Sequence, residues 1–424
     1  MVAVILAGGQ GKRVKEIYGD IPKPMIEMAG KPVLQWQIES LKAHEIKDFL
    51  IIVGYKHHGI TSYFGDGSRF GVHIDYYTES EPMGTAGALF QLDLPEEFLL
   101  LNGDLVFDFT LIDMLTFHRK KEADITLFTH PTSHPFDSMI VRVDACERVL
   151  SMQKGFAAEK TFSNLGNAGI CVIKKKALDN ISHKAFMSLD EDVIIPNIEH
   201  GNVFSYCCAE YVKDAGTPER IAQIEAEIKS GLPALKKNAY PKKAVFLDRD
   251  GTVNRYKGYI SSPEQIELIP GAAQAINTFH RLGYFVMIIT NQPVVARGEC
   301  SEEELKLIHN RLQYLLAKEN AYIDDIFYCP HHPDSGFEDE NKAYKCECDC
   351  RKPKPGMILK AAGKWNLDLK QSWMAGDSES DVQTAVNAGC RPILISKKEN
   401  DNAVHYATLK EFAEALEKNE KYIG

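Results

Sequence analysis

Between residues 230 and 248 the chain reads Ser230-Gly-Leu-Pro-Ala-Leu-Lys-Lys-Asn-Ala-Tyr-Pro241 and then, past two lysines, Ala244-Val-Phe-Leu-Asp248. The first stretch holds two prolines, a glycine and basic residues, the composition of a linker. The second is a short apolar run ending on a carboxylate, as a buried first strand does. The alternation of strand and helix that stops near Lys229 therefore begins again at Ala244. That break predicts two independent α/β domains, residues 1–229 and 242–424, joined by a linker over 230–241.

Working outward, Phe49-Leu-Ile-Ile-Val53 and Phe98-Leu-Leu-Leu-Asn102 read as strands, and Val33 to Ala43 and Pro218 to Lys229 as helices. This is the pattern of a mainly parallel sheet. Downstream, Tyr284 to Thr290 reads as a strand and Ser301 to Lys318 as a helix. The two halves share no motif. A length of 424 residues exceeds one usual core, in keeping with the division.

The composition is globular, 44% hydrophobic and 25% charged. A net charge of −10 argues against a nucleic-acid or membrane-surface partner, either of which would call for a basic patch. Met1-Val-Ala-Val-Ile-Leu-Ala7 is apolar but lacks a basic leader and stops at Gly8-Gly9, which predicts a buried strand, not a signal peptide. No apolar run approaches the roughly 18 residues of a membrane span. Ten cysteines without a secretory signal point to a reducing, cytoplasmic compartment, where they serve as free thiols or metal ligands.

The first predicted strand runs into Leu6-Ala-Gly-Gly-Gln-Gly-Lys-Arg13. Gly8, Gly9 and Gly11 let backbone N–H groups approach phosphate oxygens, and Arg13 can clamp a phosphate with parallel hydrogen bonds. Lys23 follows between Pro22 and Pro24. Gly84-Thr85-Ala86-Gly87 is a second permissive turn. Asn102-Gly103-Asp104 places a carboxylate beyond the C-terminal end of a strand, where open α/β sheets bind ligands. Asp214-Ala-Gly-Thr-Pro218 offers another carboxylate before a helix.

Together with Lys154 and Asn167-Ala-Gly169, these segments resemble the sugar-1-phosphate nucleotidyltransferase family over nearly the whole first domain, in a Rossmann-like fold. The resemblance implies that Leu6 to Gly11 and Arg13 hold a nucleoside triphosphate and that Lys23 neutralises the departing pyrophosphate. It implies that Gly84, Thr85 and Gly87 lie near the base or sugar, with Asn102, Gly103, Asn167 and Gly169 around the substrate. Asp104 and Asp214 would ligate Mg²⁺, and Lys154 would meet the sugar phosphate. Such a displacement needs little beyond in-line positioning and cations around the phosphates. Lys12 and Gln153 depart from the family's usual Thr or Ser and Glu, and neither change removes a cation or a metal ligand.

The sharpest motif is Phe246-Leu-Asp-Arg-Asp-Gly-Thr-Val253. In an extended segment residues two apart point the same way, so Asp248 and Asp250 are expected at one site with Arg249 directed elsewhere. One carboxylate can attack phosphorus while the other protonates the leaving alcohol. Two such acids call for a divalent cation between them. Thr290-Asn291-Gln292 ends the next strand, Arg351-Lys-Pro-Lys-Pro-Gly356 supplies cations, and Gly376-Asp-Ser-Glu-Ser-Asp381 ends a strand-like run.

In order, these resemble the four motifs of the haloacid dehalogenase-like phosphatases, which have a Rossmannoid fold. The resemblance makes Asp248 the nucleophile and Asp250 the general acid and base. Thr290 and Lys352, with Lys354 as the alternative, would stabilise the transferring phosphoryl group. Mg²⁺ would sit with Asp248, Asp377 and the backbone of Asp250.

Cys329-Pro-His-His-Pro333 and Lys345-Cys-Glu-Cys-Asp-Cys-Arg351 face each other across a polar loop. Cys-x-His plus Cys-x-Cys is a ligand set for structural Zn²⁺, with Cys329, His331, Cys348 and Cys350 as ligands and Cys346 and His332 as spares. With Tyr256-Lys-Gly258-Tyr259, Thr290-Asn291-Gln292, Ala296-Arg-Gly298 and Cys350-Arg351-Lys-Pro353, this loop resembles the D-glycero-D-manno-heptose 1,7-bisphosphate phosphatases, with histidinol-phosphate phosphatases as near relatives. Tyr256, Gly258, Tyr259, Asn291, Gln292 and Arg351 are then expected around the substrate. Pro293 and Ser378 depart from the usual Ser and Lys.

The fusion implies a sequence of reactions: a heptose bisphosphate loses its 7-phosphate, and the resulting 1-phosphate receives a nucleotidyl group. GTP is the donor that the resemblance implies; no residue of the sequence reads guanine over another base.

Overall fold

The computed structural model describes the chain except residues 10–14, 133, 155–162, 180, 335, 337–338, 398–403 and 422–424. It divides into two compact units. One comprises Met1–His130, Met139–Gln153 and Leu165–Asn238; the other comprises Pro131–Ser138, Lys154–Asn164 and Ala239–Gly424. The stretch read as a linker holds a one-turn helix, Leu232–Leu235, and the Asn238 backbone N–H donates to Glu210 Oε1 at 2.6 Å. It is therefore fastened to the first unit nearly to its end. No helix among the described residues is long and apolar enough to cross a membrane.

In the first unit, strand Val2–Ala7 lies parallel to Asp48–Val53 on one side and Glu97–Asn102 on the other, with His73–Thr78 beyond Asp48–Val53. Both faces of Val2–Ala7 are covered. Ala3, Ile5 and Ala7 join a cluster with Leu34, Ile38 and Leu41 of helix Val33–Ala43, while Val4 joins Leu100 and Leu127 on the opposite side. This is the two-residue period of a strand buried on both faces.

The sheet is less parallel than the alternation suggests. Gly166–Lys174 runs antiparallel to Glu97–Asn102, Ile125–His130 and Met139–Val143. Antiparallel neighbours need no crossover helix, and the helical signal is weak in this part of the chain.

The second unit has six parallel strands among its described residues. In spatial order they are Asp325–Cys329, Phe285–Asn291, Ala244–Leu247, Trp373–Gly376, Arg391–Ile395 and Val404–Tyr406. Ala244–Leu247, first in the chain, sits inside the sheet with later strands on both sides. The ends of strands flanking such a reversal form the crevice where open sheets bind ligands.

Helix Glu302–Lys318 starts at a reciprocal cap. Glu304 N donates to Ser301 Oγ at 3.2 Å and Ser301 N donates to Glu304 Oε2 at 2.7 Å. It buries Leu305, Ile308, Leu312 and Leu316 along one stripe.

Helix Ala272–Arg281 buries Ile276 and Phe279, and the Phe279 ring lies 5.4 Å from that of Phe412. Phe279 is fully buried, so Phe279→Ala is expected to destabilise this unit by about 3–5 kcal/mol. Chemical denaturation checks this, and a loss below about 1 kcal/mol would contradict the packing.

Candidate functional site

Each unit carries its own candidate site at the C-terminal edge of its sheet. In the first unit, Gly8-Gly9, Gly54-Tyr55, Glu79 and Gly103-Asp104 follow four parallel strands directly and line a cavity of ≈ 760 Å³. That volume suits a small-molecule ligand. Leu6, Ala7, Lys23, Gly84, Thr85 and Asn102 complete the part of the wall that the sequence predicts. Gly11 and Arg13 lie outside the described residues.

Gly103 earns its place sterically. Its N–H donates to the Leu6 carbonyl at 2.9 Å, and a Cβ there would meet that same oxygen at 2.7 Å. The fully buried Gln37 fastens the turn, donating to the carbonyls of Asn102 at 2.9 Å and Leu105 at 2.8 Å. Asp104 is thereby held beside Lys23, whose Nζ donates to Asp104 Oδ2 at 3.0 Å. Gly84, at φ +80°, lies against the Met187 backbone, and Thr85 Oγ1 accepts from Leu189 N at 2.7 Å.

Several predicted residues stand apart from the cavity wall. Gly87 is buried behind it at the start of a 3₁₀ turn, against Met83. Asn167 donates to Asp190 Oδ1 at 3.2 Å, and Gly169, at φ +75°, backs onto the Asn102 side chain. Lys154 is exposed at the end of strand Val149–Lys154. Asp214 pairs in register with Leu105, next to Asp104, but Arg220 Nη1 donates to its Oδ1 at 2.7 Å. Lys23 thus holds one oxygen of Asp104 and Arg220 one oxygen of Asp214. The sequence reading missed Glu79 as well as Tyr55 and Phe186, which also line the cavity. Burial raises the Glu79 carboxyl above its ordinary range, and Glu79 Oε1 has no partner among the described residues. Its position directly after the strand His73–Thr78 was the available signal.

In the second unit, Asp248 follows Ala244–Leu247, its N–H donating to the Ala375 carbonyl at 2.9 Å. Lys352, buried, bridges two carboxylates: Nζ donates to Asp248 Oδ1 at 2.7 Å and to Asp381 Oδ1 at 2.5 Å. Asn291 holds the Lys352 backbone from both sides, accepting its N–H at 3.0 Å and donating to its carbonyl at 3.2 Å. Burial raises Asp248, with the Lys352 charge opposing, while burial and then Asp381 raise Asp377 to about 6. For Lys352 burial pulls downward, but Asp248 and Asp381 outweigh it and raise the ammonium above its usual range. Lys354, the alternative cation, is instead exposed and donates to Glu347 at 2.8 Å.

Asp248, Asp377 and Asp381 bring one oxygen each within 4.8 Å of one another. Gly251, at φ +87°, has no side chain to obstruct Asp377 Oδ2. A cluster of three carboxylates, two of them (Asp248 and Asp377) with raised affinity for protons, and a single buried lysine among them fits a hard divalent cation. Asp381 was missed because it sits in a capping box: Ser378 N and Oγ donate to its Oδ2 at 3.1 and 2.6 Å. The other oxygen is the one bound to Lys352.

One expectation is corrected. Arg249 turns back onto Asp250, Nη2 donating to Oδ2 at 2.8 Å, and does not point away from the site. The two-residue period fails because the strand ends at Leu247, and the Arg249 carbonyl accepts from both Val253 N and Asn254 N at 3.0 Å in a turn. Thr290 is buried, its Oγ1 accepting from Gln292 Nε2 at 2.9 Å. Tyr256 and Tyr259 are exposed around Gly258, with the Arg297 guanidinium 4.3 Å from the Tyr259 ring centre.

Cys329, His331, Cys348 and Cys350 converge as a second candidate metal group. Cys329 Sγ lies 3.5 Å from Cys348 Sγ and 3.2 Å from Cys350 Sγ, and His331 Nδ1 lies 3.3 Å from Cys350 Sγ. All are free thiols, and Cys346 is exposed outside the group. Three sulfurs and one imidazole nitrogen suit a thiophilic tetrahedral ion. Arg351 leaves this group directly, its Nη1 donating to the His331 carbonyl at 3.2 Å.

The nucleotidyl transferase family pattern matches residues 2–231, more than half of the chain, and a HAD-hydrolase-like pattern matches residues 349–415. The D-glycero-beta-D-manno-heptose-1,7-bisphosphate 7-phosphatase of Rhodopseudomonas palustris is 43% identical over 146 residues, 34% of this chain and 79% of that protein. The protein of the same name from Escherichia coli K12 is 34% identical over 186 residues, 42% of this chain and 95% of that protein. Among solved structures, HddC from Yersinia pseudotuberculosis is 25% identical, covering 54% of this chain and 99% of that one with a TM-score of 0.47.

Proposed function

We propose a two-step reaction sequence for this chain, which belongs to the nucleotidyl transferase family through its first domain and to the haloacid dehalogenase-like phosphatases through its second. The chain is a bifunctional enzyme, a phosphatase joined to a nucleotidyltransferase. In our reading the phosphatase hydrolyses the 7-phosphate of D-glycero-D-manno-heptose 1,7-bisphosphate. The nucleotidyltransferase then transfers GMP from GTP to heptose 1-phosphate, giving GDP-heptose.

The observation that carries this reading is the convergence of Asp248, Lys352 and Asp381 on one crevice with Asp250 two residues away. A carboxylate backed by a buried ammonium suits attack at phosphorus, and its neighbour suits proton transfer to the leaving oxygen. Mg²⁺ would be held by Asp248, Asp377 and Asp381 and would neutralise phosphate charge. Cys329, His331, Cys348 and Cys350 would hold Zn²⁺ as a structural ion. In the first domain Lys23 and the Gly8-Gly9 turn would receive the triphosphate, with Asp104 and Asp214 holding a second Mg²⁺.

The order of steps fixes which phosphate must leave. A nucleotidyltransferase uses the anomeric phosphate as its nucleophile, so a phosphatase that removed it would leave its neighbour without a substrate. The primary phosphate at carbon 7 is therefore expected to be lost first. Phosphorus NMR of the phosphatase reaction alone checks this, and early loss of the anomeric signal would overturn the coupled reading. With GTP present, the intact enzyme is expected to form GDP-heptose from the bisphosphate in one vessel.

A further inference from the structure

Asp250 is gripped more heavily than its place on a turn requires. Its Oδ2 accepts from Arg249 Nη2 at 2.8 Å and from Gln292 Nε2 at 2.8 Å. Its Oδ1 accepts from Asn254 Nδ2 at 2.8 Å, and Arg249 Nε lies 3.2 Å from both oxygens. Arg249 Nη2 also donates to Gln292 Oε1 at 2.9 Å, which ties the grip to Thr290 through Gln292.

Arg249 is wholly buried, and its Nη1 has no partner among the described residues. His309, buried nearby, offers no negative charge; burial first and the Arg249 charge second keep its imidazole neutral. Taking a guanidinium out of water is costly, and an apolar side chain of similar volume is often as good for stability. A buried cation with an unmatched N–H is therefore poorly explained by folding alone.

We infer that Arg249 is a positioning residue for Asp250, fixing the plane and aim of the carboxyl that exchanges a proton with the leaving oxygen. The inference rests on the phosphatase reading above. In the step concerned, an Asp248 oxygen forms a bond to phosphorus while the bond from phosphorus to the substrate oxygen breaks. The proton of the Asp250 carboxyl moves to that oxygen, leaving an alcohol, an aspartyl phosphate and an Asp250 carboxylate. Proton transfer needs the two oxygens within hydrogen-bonding reach, and misplacement of the carboxyl by about an ångström costs rate without costing affinity. The Asp250 side chain keeps 16% exposure, so the grip leaves an edge open to a reacting oxygen.

A leaving group that needs no proton should be indifferent to this alignment, and a basic alkoxide should not. The experiment compares kcat/KM for a primary alkyl phosphate and for p-nitrophenyl phosphate on the same preparation. Any unfolded fraction then cancels from the alkyl-to-aryl ratio. Arg249→Met is expected to lower that ratio about tenfold or more, within the 10²–10⁴-fold that a positioned acid supplies, and Arg249→Lys to restore part of it.

Asn254→Leu, which removes a donor from the opposite oxygen, is expected to move the ratio the same way and serves if Arg249→Met does not fold. Equal losses on both substrates in these variants would overturn the inference and leave Arg249 with a structural role. Asp250→Asn separates the two levels: if it too leaves the ratio unchanged, the acid–base reading of Asp250 falls, and the role of Arg249 with it. If Asp250→Asn collapses the ratio and Arg249→Met does not, only the positioning role is lost.

Discussion

Asp248→Asn is expected to reduce phosphate release by about 10³-fold or more, about 4 kcal/mol of barrier, while nucleotidyl transfer continues at the unaltered rate. The amide keeps the shape of the carboxylate but cannot form the acyl phosphate. The variant is expected to fold, because Asp381 remains to pair with Lys352 at 2.5 Å, and burial already favours a neutral group at position 248. Asp104→Ala is expected to do the reverse. It leaves Lys23 without its carboxylate at 3.0 Å and removes a proposed metal ligand from the nucleotide cavity, while the phosphatase sheet, with its own core, is untouched. Phosphate and pyrophosphate release measured on both variants decides the matter. Loss of both activities from either substitution would sink the two-site reading. Phosphatase activity that persists in Asp248→Asn would remove the nucleophile assignment alone.

The second large effect concerns the thiol cluster. Purified protein is expected to carry about one tightly held zinc per chain, because a closed set of three sulfurs and one imidazole binds it firmly. Mg²⁺ is expected to need adding, since it keeps several waters and few protein ligands. Stripping the zinc, or changing Cys348 and Cys350 together to Ser, is expected to cut phosphatase activity at least about tenfold. Arg351 and Lys352 leave the cluster directly, and Arg351 is anchored on the His331 carbonyl, so the ion would order the cations that face phosphate. Nucleotidyl transfer is expected to survive the same treatment. Elemental analysis and paired activity assays check this. Protein without zinc but fully active as a phosphatase would overturn the assignment of a structural ion.

Neighbouring residues in the second domain show where sequence reasoning held and where it stopped. Asp248 was legible because an apolar run ending on Asp-x-Asp-Gly-Thr has few other uses. Arg249 was misread because the two-residue period was carried past the end of the strand at Leu247, into a turn that reverses the side chain. Asp381 was visible as the last acid of Gly376-Asp-Ser-Glu-Ser-Asp381, yet its spacing from Ser378 is also that of an ordinary helix cap. Nothing local distinguishes a cap that uses one oxygen from one whose second oxygen reaches Lys352, 29 residues away. Glu79 lay in no motif at all. Only the parallel pairing of His73–Thr78 beside Asp48–Val53 brings its carboxyl against Gly8, where a Cβ would come within 2.5 Å of Oε2.

By itself the sequence determined the fold class, two α/β units, and the chemical types gathered in each: glycine turns after strands, paired acids, thiols with an imidazole. These are short-range properties. Apolar periodicity decides which element forms, and the residue following a strand in an open sheet is near its edge whatever the rest of the chain does. Tertiary structure alone decided which partners share a charge. It set Lys23 against Asp104, and Lys352 between Asp248 and Asp381. Such pairings depend on strand order and on turns that bring together residues as many as 104 positions apart, as for Lys352 and Asp248. Burial then acts on Asp248 and Lys352 in a way that no local pattern contains, because desolvation is a property of everything packed around a group.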